Sequence, residues 1–227
     1  MSKKAIKCSK MFDSANGCVL EDVVIFTEGD RISAVAPAAS AGSLEGREVI
    51  DLTGKFVTPG LIDSHIHAGF TGAGSVAGTR PYTTLGEYTL EGLVNLNDHL
   101  MAGFTSVRTA GDMGYSDVAL RDAINKGDFP GPRMMVSGSH ISPTGGQSDT
   151  RYSPYLHEEV VHWGLSSNGR QGMIKLVRAN IKHGVDYIKF MSTGGVMSPG
   201  LTVGAQQMTF EEMKAICDTA KMNGMST

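Results

Sequence analysis

Two histidines stand two residues apart, His65 and His67, in the run Leu61-Ile62-Asp63-Ser64-His65-Ile66-His67. On a strand that spacing sends both imidazoles off one face, which Leu61 and Asp63 share. Two imidazoles so placed can reach one metal ion, with Asp63 as an orienting partner; two merely polar histidines at a strand end are the plainer reading. Lys189 lies in Val185-Asp186-Tyr187-Ile188-Lys189-Phe190-Met191, on the face of Val185 and Tyr187, while Ile188 and Phe190 point the other way, toward packing helices. An inward lysine is expensive unless its charge is paired or chemically changed. Either it reaches solvent at the strand end, or its amine is carboxylated by carbon dioxide into an anion that bridges two cations.

Two glycine loops share the form T-G-G: Pro143-Thr144-Gly145-Gly146-Gln147-Ser148-Asp149 and Ser192-Thr193-Gly194-Gly195-Val196-Met197-Ser198. They let backbone approach a substrate or simply turn, and neither has the lysine of a phosphate-binding loop. His140 precedes the first of them and is a candidate substrate contact or a solvated loop histidine. His99, His157, His162 and His183 read as helix or loop surface, and the 13 methionines as core filler.

The elements that must hold these residues alternate. Residues 1–56 carry short β-type runs at 19–26, 31–35 and 47–52, separated by Asn16-Gly17, Glu28-Gly29-Asp30 and Thr53-Gly54 turn signals, and predict a small antiparallel β unit. From Phe56 an apolar run leads into the histidine strand, a glycine-rich loop through Gly78, and a helix over 84–101. Strand and helix then recur: 104–108 and 117–126, 133–137 and 171–183, 185–191 and 209–223, the last helix opened by a Thr209/Glu212 capping box. Strands alternating with helices predict βα units on a parallel sheet, four of them, with Met225-Ser226-Thr227 beginning a fifth strand. The connection over 139–168 far exceeds an ordinary βα loop and sits where α/β sites are built.

Composition narrows the chemistry. The chain has 227 residues, 41% hydrophobic and 19% charged, 20 Lys+Arg against 23 Asp+Glu, and 29 Gly. No stretch approaches the roughly 18 apolar residues of a membrane helix, and a net charge of −3 with mixed signs offers no basic stripe for nucleic acid or polybasic segment for a membrane. A small-molecule substrate is expected. Cys8, Cys18 and Cys217 are odd in number and widely spaced, so no disulfide or zinc-knuckle framework is indicated. With no secretory pattern in Met1 to Phe12, the expected location is cytoplasmic. The length is short for a closed α/β barrel, typically about 250 residues.

The string Val57-Thr58-Pro59-Gly60-Leu61-Ile62-Asp63-Ser64-His65-Ile66-His67 closely resembles the first barrel strand of the amidohydrolase superfamily. Ala102-Gly103-Phe104-Thr105-Ser106-Val107-Arg108, Gly131-Pro132-Arg133 with Val136-Ser137-Gly138, and Ile188-Lys189-Phe190 with Thr193-Gly194-Gly195-Val196 resemble its branch of Xaa-Pro dipeptidases (prolidases), arginine carboxypeptidase-like enzymes and imidazolonepropionase relatives. The resemblance implies an α/β chain: the first half of a distorted (β/α)8 TIM-type barrel over 57–227, preceded by part of a small β-sandwich over 1–56. It implies a divalent-metal site, usually two zinc ions, with His65 and His67 on the more buried metal and carboxylated Lys189 as the bridge. The metals would activate water for attack on an amide carbonyl.

Two further histidine ligands and a general-base aspartate are implied in barrel strands beyond residue 227, so no catalytic aspartate is expected within 1–227. Relatives carry histidine after the third-strand T-G-G, where it binds the substrate carboxylate; Gln147 stands there instead and can still donate a hydrogen bond. The expected function is hydrolysis of an amide or peptide bond in a dipeptide or N-acyl amino acid. A cyclic-amide hydrolase of the imidazolonepropionase kind and an inactive, self-associating fragment are the alternatives. Open sheet edges predict a homo-oligomer or exchanged half-barrel assembly.

Overall fold

A computed structural model describes residues 2–70, 83–149, 164–196 and 200–227. It divides into two units, Met1–Gly60 and Leu61–Thr227.

In the first unit, β1 (Lys3–Asp13), β2 (Cys18–Glu28), β3 (Arg31–Pro37) and β4 (Glu48–Val57) form one sheet in the order β3-β2-β1-β4. β1 pairs antiparallel with β2 and parallel with β4. Asp13 closes the first hairpin by accepting from the backbone N–H groups of Ala15 (3.0 Å) and Asn16 (3.3 Å), the side-chain turn this residue type favours. Both faces are packed: Ala5, Val24 and Phe26 on one, Cys8, Val23 and Ile25 on the other.

Two expectations change here. Thr53-Gly54 is no turn. Opposite the Cys8-to-Lys10 step, β4 runs from Leu52 to Phe56, so the extra residues bulge out, with the Gly54 N–H donating to Ser9 Oγ at 2.8 Å. Phe56 and Val57 therefore finish β4 instead of opening the histidine strand, and the division falls after Gly60. β1 itself gave no strand signal, because it packs apolar residues on both faces, Ala5 on one and Cys8 on the other, and so lacks the alternation on which such a signal depends.

The second unit holds β5 (Leu61–Ile66), α1 (Leu85–Met101), β6 (Phe104–Thr109), α2 (Ser116–Lys126), β7 (Arg133–Met135), β8 (His140–Ser142), β9 (Gly164–Ser166), α3 (Gly169–Lys182) and α4 (Phe210–Met222). β5, β6 and β7 form a parallel sheet in that order. Residues 185–191, expected as a regular strand, extend this ladder only by single contacts. The Asp186 N–H donates to Val136 O (2.8 Å), the Ile141 N–H to Lys189 O (3.0 Å), and the Ile188 N–H to Ser226 O (3.0 Å). Neighbours are thus supplied in the barrel order, with 225–227 next after 185–191. The long connection is not structureless either, since β8 and β9 pair in parallel.

Helix ends follow local chemistry. Thr84 and Thr209 each form a full capping box with the glutamate three residues on, Glu87 and Glu212. Ile66, Ala68, Leu96, Val107 and Leu120 fill the space between β5, β6 and helices α1 and α2. Gly92 permits that approach, because a Cβ there would lie 2.8 Å from Leu120 Cδ1. Ile141, Met173, Val177, Ile188, Met208 and Ile216 pack β8 and residues 185–191 against α3 and α4. Val185, expected on the face of Lys189, joins this helix-side cluster, since residues 185–191 do not keep strict strand alternation.

Candidate active site

The end of β5, the start of β8 and residues 185–191 bring together His65, His67, His140 and Lys189. His65 is exposed and His67 half-buried, their ring centroids 5.6 Å apart and nearly edge-on. The His67 Nδ1 lies 2.6 Å from the Gly111 carbonyl oxygen. A carbonyl only accepts, so Nδ1 carries the proton and the imidazole lone pair is on Nε2. Asp63 does not orient either ring. Its carboxylate accepts the His65 backbone N–H at 3.1 Å, a turn-like contact that leaves ring orientation to the β6 loop.

Electrostatics ties the group together. Burial, and then the charges of Lys189 and Arg108, lower the proton affinity of His65; burial above all lowers that of His67, with smaller contributions from His65 and Lys189. Burial and the neighbouring Arg108 pull the Lys189 amine below its ordinary value. His140 is only 2% exposed, and burial, then the His67 and Lys189 charges, push its pKa down to about 3. It is no solvated loop histidine. Relative to solvent, the neutral imidazole is favoured over the imidazolium and the free amine over the ammonium, the direction that metal ligation and carboxylation of a lysine require.

Gln147 lies where the two T-G-G loops meet. Its N–H donates to Gln207 Oε1 at 3.1 Å, and its amide lies against Gly195, where any Cβ would collide with it. The two T-G-G loops thus touch each other, a use for their glycines that composition alone does not reveal. Of the remaining histidines, His183 is exposed and stacks on Tyr115 at 3.9 Å. His99 is half-buried, with Nδ1 2.8 Å from Asn95 O. His157, His162, Met197, Ser198 and the glycine loop over 71–82 lie outside the described residues.

Residues that sequence reasoning passed over complete the site's frame. Arg108 donates from Nε to Ser64 O at 2.9 Å and lies over the Tyr187 ring at 5.3 Å. Asp112 is fully buried, and burial, then the charge of Asp117, raise its pKa to about 7. Its carboxylate accepts from the Ala68 N–H (3.0 Å), the Gly69 N–H (3.4 Å) and Tyr88 OH (2.5 Å). The available signal was positional: Gly111-Asp112 directly follow a strand end. Among the described residues, no group of three or more His, Cys, Asp and Glu side chains is placed to hold a metal. Two imidazoles and a lysine fit part of such a site.

The amidohydrolase family pattern matches residues 56–227, and the chain belongs to that family. Its fold is that of solved family members. A prolidase in complex with N-methylphosphonate-L-proline matches with a TM-score of 0.85 at 31% identity, covering 99% of this chain and 55% of that one. Ochratoxinase of Aspergillus niger is 30% identical over 183 residues, 71% of this chain and 36% of its own length. Imidazolonepropionase of Caulobacter vibrioides is 46% identical over 54 residues, 24% of this chain and 14% of its own length. The chain therefore spans about half of the solved prolidase, and its matched stretch about a third of ochratoxinase. The β unit and four βα units correspond to the first half of a (β/α)8 barrel with part of its small β-sandwich. No described helix is long and apolar enough to cross a membrane.

Proposed function

We propose that the protein is a metal-dependent amidohydrolase that cleaves an amide or peptide bond in a small substrate, a dipeptide or an N-acyl amino acid. The observation that carries this is the orientation of His67: Nδ1 is committed to Gly111 O at 2.6 Å, so Nε2 is the ligand atom, beside His65 on the same strand end. His65, His67 and Lys189 would hold the metal, Lys189 as a carbamate formed when its neutral Nζ adds to the carbon of carbon dioxide and loses a proton. Bound divalent metal, of which two zinc ions are the expected form, supplies a Lewis acid and a water of lowered pKa. Tetrahedral zinc takes about four ligands, so these three side chains are an incomplete set.

The chain's own residues do the rest. Arg108 keeps the neighbourhood of Lys189 positive, which favours the free amine before carboxylation and pairs with the anion after it. His140, neutral and buried, is a hydrogen-bonding wall for substrate, and Gln147 a neutral donor toward the leaving portion. Similarity to the prolidase and to a solved Xaa-Pro dipeptidase supports a dipeptide. The short match to imidazolonepropionase, at higher identity, supports a cyclic amide as second reading. Zinc retention after dialysis by a longer form of the protein that carries the remaining ligands, measured by elemental analysis, should fall at least about tenfold in His67→Ala. Undiminished retention, or no metal in the wild type, would overturn the metal reading. Hydrolysis of dipeptides and N-acyl amino acids against ring opening of cyclic amides, assayed in this chain and in a longer form of the protein, separates the two substrate classes.

A further inference from the structure

We propose that Asp112 is a positioning residue for His67: its carboxylate fixes the Ala68–Gly69 turn so that the imidazole keeps Nδ1 on the Gly111 carbonyl and presents Nε2 to the site. The inference rests on His67 being a ligand, but its geometric content is independent of any metal.

Gly111 and Asp112 grip His67 from two directions. The Gly111 carbonyl takes the ring N–H at 2.6 Å, and the next residue's carboxylate takes the N–H groups of the two residues after His67, at 3.0 and 3.4 Å. Ring and following backbone are thereby referred to one dipeptide at the end of β6, so they move together or not at all. Asp112 is itself pinned. Its N–H donates to Gly138 O at 2.9 Å, and Tyr88 OH donates to its Oδ1 at 2.5 Å. The Tyr88 ring covers Gly69 so closely that a Cβ there would collide with it. A carboxylate buried this fully is costly to maintain, and two of its three donors are the N–H groups of the Ala68–Gly69 turn, the third being Tyr88 OH. Asp117, the other buried aspartate nearby, has different contacts. It accepts from Thr109 Oγ1 (2.7 Å), the Val118 N–H (2.9 Å) and the Gly138 N–H (3.0 Å), all away from the Ala68–Gly69 turn.

The test compares Asp112→Asn with Asp117→Asn in metal-free protein, using long-range proton–nitrogen correlation spectra of the histidine rings, with His67 identified by the signal lost in His67→Gln. Wild type should show one neutral His67 tautomer, protonated at Nδ1. Asp112→Asn should raise the minor tautomer several-fold and weaken zinc binding by about tenfold. Asp117→Asn, which reaches Asp112 only through charge and through their shared neighbour Gly138, should lower the melting temperature and move both readouts far less. A folded Asp112→Asn with the wild-type tautomer ratio overturns the proposal, as does an equal shift in Asp117→Asn. If Asp112→Asn does not fold, Tyr88→Phe decides. It keeps both peptide contacts but loosens the carboxylate, so a smaller shift in the same direction is expected and no shift overturns the idea. A tautomer shift in a protein whose wild type binds no zinc sustains the positioning role and removes the metal reading instead.

Discussion

At Gly111 the backbone is at φ +115, and a Cβ would run into the His140 ring. The carbonyl that orients His67 thus comes from a residue that must be glycine for two separate reasons, backbone conformation and the buried imidazole beside it. His140 has its own consequence for pH. Its pKa falls from 6.5 to about 3 on folding, so the fold holds it neutral. The associated stability is complete above about pH 6.5 and is lost progressively as pH falls toward 3. Asp112 works in the opposite sense: raised from 3.8 to about 7, it contributes most at low pH and loses that contribution as pH rises through 7. The two windows overlap, so the wild-type melting temperature alone separates neither. The stability difference between wild type and His140→Gln should shrink as pH drops from 7 to 4 in a series of urea titrations. A difference independent of pH would show that His140 is not held neutral by burial.

Among the elements, α3 begins without help from its own N-cap, since the Asn168 side chain makes no capping hydrogen bond. The missing acceptor comes from α4. Glu212 closes its own capping box by accepting the Thr209 N–H at 2.9 Å, and its other oxygen accepts the Gly169 N–H at 2.7 Å. One carboxylate serves two helix N-termini and holds them at a fixed distance. Glu212→Ala should therefore cost more than an ordinary cap, about 2–3 kcal/mol against about 1 kcal/mol for Thr84→Ala, which touches only α1. Chemical denaturation of both variants checks this; equal losses would mean that the bridge contributes nothing. The capping boxes themselves were readable, because Thr and Glu three apart act within one turn of chain. The bridge was not, since Gly169 and Glu212 meet only after both helices dock.

On the scale of the whole second unit, β5 is an outer strand of its sheet, with Leu61 49% and Ile62 72% exposed. Leu90, Val94 and Met101 lie on one stripe of α1 and are 65%, 61% and 77% exposed. An unpaired strand edge beside an apolar helix face drives association. The chain at tens of micromolar is expected to scatter light as a dimer or larger, and Leu90→Glu with Val94→Lys should reduce that mass. A monodisperse wild-type monomer would end the expectation of an exchanged assembly.

Local chain chemistry suffices for what depends on near neighbours: helix starts and stops at Thr84, Gly127, Thr209 and Gly224, the period-two placement of His65 and His67, and through them the barrel and the family. Tertiary structure alone decided what depends on distant backbone. It assigned the His67 partner to Gly111 O rather than Asp63, buried His140 instead of leaving it in solvent, made Thr53-Gly54 a bulge against β1, and reduced 185–191 to isolated ladder contacts. Each of these turns on which carbonyl or N–H group stands opposite. Strand register sets that, through packing between segments tens of residues apart, and no local propensity encodes it.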